Sequence, residues 1–169
     1  MTKATIDLAL NRVAAAIAAR YHDSSPVVAG IHTRGVIVAD RLREKLADIG
    51  CQVRSGTLDI SLYRDDLDNL GTMPSLKNSD LPPVDWCDVI LVDDVLFTGR
   101  TIRAAIDGVT DFGRPRRIEL AVLVDRGNRE LPIQADYVGE TFETERTDYV
   151  AVHLEETDGE EGVFLLRKS

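Results

Sequence analysis

One stretch of the chain, residues 89–101, constrains the fold more than any other. It runs Val-Ile-Leu-Val-Asp-Asp-Val-Leu-Phe-Thr-Gly-Arg-Thr, so an apolar segment leads into two carboxylates and then into a turn of small residues. Residues 89–92 are apolar without alternation, which is typical of a strand buried on both faces of a parallel sheet. The loop after such a strand lies at the carboxyl edge of the sheet, where ligands bind.

The turn that follows has the composition of an anion site. Four small or polar residues form it, and we call it the phosphate turn: Thr98, Gly99, Arg100 and Thr101. Apolar residues at helical spacing come directly after it: Ile102, Ile106, Val109 and Phe112. Free backbone N–H groups and two hydroxyls therefore converge at a helix N-terminus, an arrangement that binds phosphate.

Asp93 and Asp94, the acidic pair, precede this turn and would repel a phosphate unless they had another role. Hydrogen bonds to sugar hydroxyls, or a metal ion that the phosphates also hold, would resolve the conflict. The alternative is that the pair only caps a turn, which is a common use of aspartate. The adjacent phosphate turn favours the ligand-binding interpretation.

A second anion site is predicted earlier in the chain. Thr33, Arg34 and Gly35, the anion loop, follow an apolar strand at 27–31 and precede a helix, so N–H groups and a guanidinium are available at the same sheet edge. An arginine in a loop is more often a surface residue, and alone this segment is weak evidence. Together with the phosphate turn it indicates a ligand with two separated phosphate groups.

Two further arginines are candidates for the site. Arg64 follows a strand pattern and could stabilise a leaving anion, or it could pair at the surface with Asp65 or Asp66. Arg126 belongs to an Asp-Arg-Gly segment after an apolar strand, which places it at the same sheet edge.

Strands alternate with helices along the chain, which indicates an α/β fold with a mainly parallel central sheet and helices on both faces. Further strands are expected at 53–62, 118–124, 135–138, 149–154 and 163–166, the last three forming a small hood or sheet edge. Residues 63–83 lack periodicity and are predicted to form a flexible flap over the site. The length of 169 residues indicates a single domain, residues 1–169.

Composition narrows the function classes. The formal net charge of −9 argues against a protein that binds the nucleic-acid backbone. The acidic segment 155–161 is expected to be a solvated turn, and the basic residues at 114–117 a solvated face. The cysteines and histidines are scattered, so we expect no metal site built from protein ligands. No apolar run has membrane length and no signal peptide is recognisable, which predicts a cytoplasmic protein.

The run at 89–101 resembles the phosphoribosyl pyrophosphate (PRPP) motif of type I phosphoribosyltransferases. Three further segments, at 30–35, 59–67 and 122–137, extend the resemblance over the chain to the PyrR family, bacterial pyrimidine operon regulators with uracil phosphoribosyltransferase activity. The resemblance implies a type I phosphoribosyltransferase fold and a reaction in which uracil and PRPP give UMP and diphosphate. It also implies Mg²⁺ bound mainly through PRPP, and a homodimer or larger homo-oligomer.

The resemblance assigns roles to individual residues. The catalytic residues are Arg64, Asp93 and Asp94, with the acidic pair contacting the ribose. The phosphate turn wraps the 5′-phosphate, and the anion loop, whose backbone in this family often contains a non-proline cis peptide, holds the diphosphate. The whole substrate-binding set is Thr33, Arg34, Arg64, Asp93, Asp94, Val95, Leu96, Phe97, Thr98, Gly99, Arg100, Thr101, Arg126 and Val150, the last through backbone groups that recognise the pyrimidine.

Two other functions are compatible with parts of the sequence. Family members that control transcription bind a messenger RNA leader on a basic surface. Here Arg129 keeps one such position, but Gln134 and Glu140 replace basic residues, and Asn11 and Ala15 replace Thr and His. A uridine-nucleotide-responsive RNA-binding regulator with weak catalysis is therefore the second hypothesis. A receiver domain is the third, but it requires an acidic pair after the first strand and a lysine after the last, and the sequence has neither.

Overall fold

The computed structural model describes residues 1–63 and 79–167. In that part of the chain, five parallel strands form the central sheet in the order β2-β1-β3-β4-β5. The strands are β1 (Val27–Ile31), β2 (Arg54–Leu58), β3 (Asp88–Leu96), β4 (Arg117–Asp125) and β5 (Tyr137–Thr141). Because all five run in one direction, the loops that follow them lie at one edge of the sheet, which is where the predicted site residues are.

The register brings the carboxyl ends of the strands close together. Gly30 of β1 aligns with Val92 of β3, and Leu96 of β3 aligns with Asp125 of β4. Strand β3 therefore extends beyond β1 at the carboxyl edge. The acidic pair lies on this extension, next to the loop that follows β1.

Three helices cover the two faces of the sheet. Helices α1 (Lys3–Arg20) and α2 (Arg34–Asp48) pack on one face, and α3 (Arg100–Asp111) packs on the other. Strand residues of β3 alternate between the two cores, so Ile90 contributes to the first core and Leu91 to the second. Residues 89–92 are apolar without alternation because both faces of the strand are covered, as the sequence predicted.

A small antiparallel unit, the hood, follows the central sheet. It consists of β6 (Tyr149–His153), the short helix α4 (Glu155–Asp158) and β7 (Gly162–Leu166). Three buried valines join it to the core under α1 and α2: Val150, Val152 and Val163. The last strands were predicted to form a small hood or a sheet edge, and they form both: β6 and β7 belong to the hood, and the segment predicted at 135–138 forms β5 at 137–141, an edge strand of the central sheet.

Several predicted boundaries were wrong. Strand β3 continues to Leu96, so the acidic pair belongs to the strand and not to the loop after it. The extra residues pair with β4, which itself continues to Asp125, the residue aligned with Leu96. Strand β2 ends at Leu58 and not at 62, since its neighbour β1 ends at Ile31, the residue aligned with Leu58. Most of the flap, predicted at 63–83, lies outside the described residues.

The acidic segment 155–161 was predicted to be a solvated turn, and this is right only in part: it connects β6 to β7 and most of its residues are exposed. Part of it forms α4, and Glu161 is buried against α2, where its side chain is only 6% exposed. Both Glu156 and Glu161 form ion pairs with Arg41 of α2. The charge pattern alone could not reveal this contact, because the partner arginine is more than a hundred residues away in the chain.

The start of α2 lies so close to β1 that a side chain at Gly30 has no room. A Cβ there would lie 2.5 Å from Val36 Cα and 2.7 Å from the Gly35 carbonyl oxygen. We expect Gly30→Ala to lower the free energy of unfolding by about 3 kcal/mol, because the backbone of α2 must shift. Urea unfolding measures the change.

Gly50→Ala is the matched control for this substitution. Its Cβ would meet nothing within 4 Å, but φ is +77° there, so the left-handed backbone alone should cost about 1 kcal/mol. A Gly30→Ala protein as stable as the Gly50→Ala protein would contradict the close contact between β1 and α2.

Candidate active site

The phosphate turn is held in place by the segment that follows β4. Gly99 precedes α3 with φ +91°, a conformation that favours glycine. The Thr98 carbonyl oxygen accepts hydrogen bonds from the N–H groups of Glu130 (2.9 Å) and Leu131 (3.1 Å). A Cβ on Gly99 would lie 3.3 Å from Ile133 Cβ. The turn at the start of α3 thus has the glycine and the helix N-terminus that an anion site requires.

Arg129 stabilises the same turn from inside the protein. Its Nη1 donates to the carbonyl oxygens of Phe97 (2.9 Å) and Gly127 (3.2 Å), and its Nε donates to the Ile133 carbonyl oxygen (2.9 Å). Its Nη2 pairs with the Asp125 carboxylate at 2.5 Å. The position that suggested RNA binding in the sequence is therefore occupied by an arginine that ties two loops together.

The acidic pair combines a buried carboxyl with a more exposed one. Asp93 is 7% exposed, and its Oδ1 accepts a hydrogen bond from the Asp94 N–H at 2.9 Å. Burial, followed by the charge of Asp94, raises the pKa of Asp93 well above its usual range. Asp94 is the more accessible of the two side chains, so it is the one available to a ligand.

The anion loop packs directly on the acidic pair. A Cβ on Gly35 would lie 2.5 Å from the Val92 carbonyl oxygen and 3.2 Å from Asp93 Oδ1. The peptide bond between His32 and Thr33 is cis, as the family resemblance predicts. Arg34 is the first residue of α2 and forms an ion pair with Asp158 of the hood at 2.7 Å.

Arg126 is buried at the same edge, as predicted, and its partners fix its orientation. Its guanidinium carbon lies 3.9 Å from the centre of the Phe97 ring. Its Nε donates to Thr144 Oγ1 (3.2 Å), and its Nη2 donates to the Glu145 carbonyl oxygen (2.8 Å). Burial lowers the pKa of Arg126, although an arginine stays charged at neutral pH. Within the described residues, Nη1 is the nitrogen left for a ligand.

The other predicted site residues differ in their exposure. Arg100 is exposed and pairs with Glu130, which also pairs with Arg146. Leu96 and Val150 are buried in the two cores, so only their backbone groups are available to a ligand. Val95 and Thr101 are half-buried at the edge. Arg64 lies outside the described residues.

Four functional partners were missed by the sequence analysis. They hold the predicted residues in place: Glu130, Thr144, Glu145 and Asp158. No motif marks them, because each acts through a contact with a residue distant in the chain. The Asp-Arg-Gly segment predicted Arg126 but not the loop that orients it.

Comparison with known proteins supports the resemblance to phosphoribosyltransferases that the sequence motifs indicate. A family model described as phosphoribosyl transferase domain matches residues 4–157. The chain is 52% identical over 162 residues to the Bifunctional protein PyrR of Desulfosudis oleivorans, covering 94% of this chain and 90% of that protein. It is 49% identical over 164 residues to the protein of the same name from Enterococcus faecalis, covering 95% and 92%.

The chain belongs to the PyrR family of phosphoribosyltransferases. The fold agrees with this assignment. The hypoxanthine phosphoribosyltransferase of Trypanosoma cruzi superposes with a TM-score of 0.75 at 20% identity, covering 100% of this chain and 95% of that one. A hypoxanthine-guanine phosphoribosyltransferase from Bacillus anthracis gives a TM-score of 0.70 at 19% identity, covering 85% and 82%. The type I phosphoribosyltransferase fold expected from the sequence is confirmed.

The described part of this PyrR family member contains no group of three or more His, Cys, Asp or Glu side chains arranged to hold a metal ion. Two adjacent carboxylates at the sheet edge are oxygen donors of the kind that Mg²⁺ prefers, and a ligand's phosphates would supply the rest. The residues therefore fit a metal that arrives with the substrate. Among the described helices, none has the length and apolarity to cross a membrane.

Asp93→Asn is expected to stabilise the protein at neutral pH. The folded state has a raised pKa at Asp93, so it favours the neutral carboxyl. The stability that the neutral carboxyl contributes is complete below the pKa of the unfolded chain, and it is lost as pH rises through the pKa of the folded state. Removing the charge should raise Tm at pH 7, by about 2–4 °C per kcal/mol. The gain should disappear below the ordinary aspartate pKa of about 3.9. Thermal unfolding across this pH range measures it.

Asp88, at the other end of β3, gives a control of opposite sign. It is also buried, but Arg116 donates to both its oxygens at 2.9 and 2.7 Å and lowers its pKa. Its contribution to stability is present above the unfolded pKa and is lost as pH falls through the folded pKa. Asp88→Asn should therefore lower Tm at neutral pH. If Asp93→Asn and Asp88→Asn destabilised the protein to a similar extent, the charge of Asp93 would not be unfavourable in the folded state, and the raised pKa would be disproved.

Proposed function

We propose that the protein is a Mg²⁺-dependent uracil phosphoribosyltransferase that converts uracil and PRPP into UMP and diphosphate. One observation carries the proposal. The anion loop and the phosphate turn, each at the start of a helix and each of a composition suited to anions, lie on either side of an acidic pair at a single edge of the sheet. PRPP has the matching groups, a 5′-phosphate and a diphosphate joined by a ribose.

The phosphate turn would bind the 5′-phosphate through the N–H groups at the start of α3 and the hydroxyls of Thr98 and Thr101. Asp94, the accessible member of the acidic pair, would accept hydrogen bonds from the ribose hydroxyls. The cation of Arg34 would hold the diphosphate from the far side of that pair. These contacts fix the sugar at both ends, so the reacting carbon is held by position.

The base would bind between Arg126 and the hood. Phe97 lies under the Arg126 guanidinium, and Val150 offers backbone groups at the start of β6. A pyrimidine has donors and acceptors along one edge, which Arg126 Nη1 and the strand backbone could bind. Uracil is the proposed acceptor because the PyrR family resemblance implies it.

In the reaction, the bond between the ribose C1 and a diphosphate oxygen breaks while a bond to uracil N1 forms. Mg²⁺ bound through PRPP would offset charge on the departing diphosphate. Arg64, at the start of the proposed flap, would add a second positive charge there. No general base is assigned: the N1–H of uracil is acidic because both ring carbonyls delocalise the charge of the anion, and its proton would pass to the departing diphosphate or to water as the bond forms.

RNA-dependent regulation is the second activity suggested by the relatives' name, Bifunctional protein PyrR. The positions noted for RNA binding favour it less here. Arg129 donates to carbonyl groups inside the site. Arg12 pairs with Glu140, and Asn11 accepts a hydrogen bond from Lys45. Catalysis in a cytoplasmic homo-oligomer is therefore the function we propose, with messenger RNA as a weaker partner.

The test is formation of UMP from uracil and PRPP in the presence of Mg²⁺. Asp94→Asn should reduce kcat/KM by about tenfold to a hundredfold, because it removes a charged hydrogen-bond acceptor worth about 1.5–3 kcal/mol. Asp23→Asn is the matched control, since this exposed carboxylate lies in the loop before β1, at the opposite edge of the sheet, and should leave the rate unchanged. No UMP from the wild-type protein at any pH would end the proposal, and orotate, cytosine and purines test its base specificity.

A further inference from the structure

Arg34 of the anion loop is held by the hood through a single carboxylate. Its Nη2 donates to Asp158 Oδ1 at 2.7 Å. The other oxygen of that carboxylate, Oδ2, accepts from the Leu154 N–H at 2.8 Å and from Thr157 Oγ1 at 3.4 Å. Asp158 therefore has its own orientation fixed on one side and holds Arg34 on the other.

The segment that carries Asp158 is itself fixed to α2. Arg41 donates from Nε and Nη2 to Glu156, at 2.9 and 2.7 Å. It also donates from Nη1 and Nη2 to Glu161, at 2.7 and 3.0 Å. Because Arg41 and Arg34 lie on the same helix, these ion pairs set the position of Asp158 relative to the Arg34 backbone.

One donor of Arg34 is left by this arrangement without a partner in the described part of the chain. Its Nε is buried and has no hydrogen-bond partner within the described residues. A buried donor without a partner is unfavourable, and an oxyanion at the anion loop would satisfy it. Since Asp158 binds Nη2 through only one oxygen, the ion pair leaves most of the guanidinium available. The side chain is 39% exposed, so solvent and ligands can reach it.

We infer that Asp158 is a positioning residue, which fixes the Arg34 side chain so that its free donors meet the diphosphate end of PRPP. This inference rests on the proposed function, because the diphosphate is the anion assigned to the loop. The acidic segment of the hood would then have a role in substrate binding, although Asp158 is 124 residues from Arg34 in the sequence. The opposite role, a carboxylate that competes with diphosphate for Arg34, predicts tighter binding when Asp158 is removed.

The test compares Asp158→Ala with Glu160→Ala. Glu160 lies in the same segment, pairs with His153 and is exposed, so its removal changes the net charge equally without touching Arg34. Asp158→Ala should raise KM for PRPP about tenfold and leave KM for uracil unchanged, as loss of an orienting partner does at other binding groups. Glu160→Ala should match the wild type. Asp158→Asn, which keeps an acceptor oxygen, should lie between them.

A double-mutant cycle with Arg34→Ala separates positioning from a general effect on the hood. The measured quantity is Kd for inorganic diphosphate with Mg²⁺, by calorimetry. Asp158→Ala should weaken binding about tenfold in the wild type and have no effect in the Arg34→Ala background. An equal loss in both backgrounds, or binding as tight as in Glu160→Ala, would overturn the inference while UMP formation persists. A wild-type protein that neither binds diphosphate nor forms UMP would overturn the proposed function as well.

Discussion

The close contact between the first turn of α2 and the end of β3 determines the geometry of the site. Gly35 leaves no space for a Cβ, which would lie 2.5 Å from the Val92 carbonyl oxygen. This contact places the anion loop directly against Asp93, while the continuous strand β3 leads from the acidic pair to the phosphate turn. The spacing of the two anion sites therefore depends on backbone packing, which side-chain motion cannot alter.

Several charged side chains near this contact are buried in ways that lower the stability of the fold but suit a ligand-binding site. Asp93 is buried next to Asp94, and its raised pKa shows that the folded state disfavours its charge. Arg126 is buried in turn, and Arg34 keeps a buried nitrogen without a partner in the described part of the chain. Groups of this kind cost folding free energy and are typical of ligand sites. The ion pairs of Arg41 and Asp88 lie outside the proposed site, and they lower the carboxyl pKa values of Glu156 and Asp88.

The sequence revealed those parts of the site that are local. The run at 89–101 and the segment at 33–35 each combine a strand, a polar turn and a helix within a few residues, so their position at a common edge was predictable. Contacts between distant segments were not. Asp158 is 124 residues from Arg34, and its acidic surroundings have the composition of a solvated loop. Strand ends also depend on the partner strand, which is why β3 proved longer than its apolar run and β2 shorter than its pattern.

The crystal structure of a complex with PRPP and Mg²⁺ tests the arrangement of the two anion sites most directly. We expect the 5′-phosphate within hydrogen-bonding distance of the N–H groups at residues 98–101, and the ribose hydroxyls at Asp94. The diphosphate should contact Arg34 while Arg34 still pairs with Asp158. A ligand bound with its 5′-phosphate at the anion loop, or away from the carboxyl edge of the sheet, would contradict the assignment of both sites.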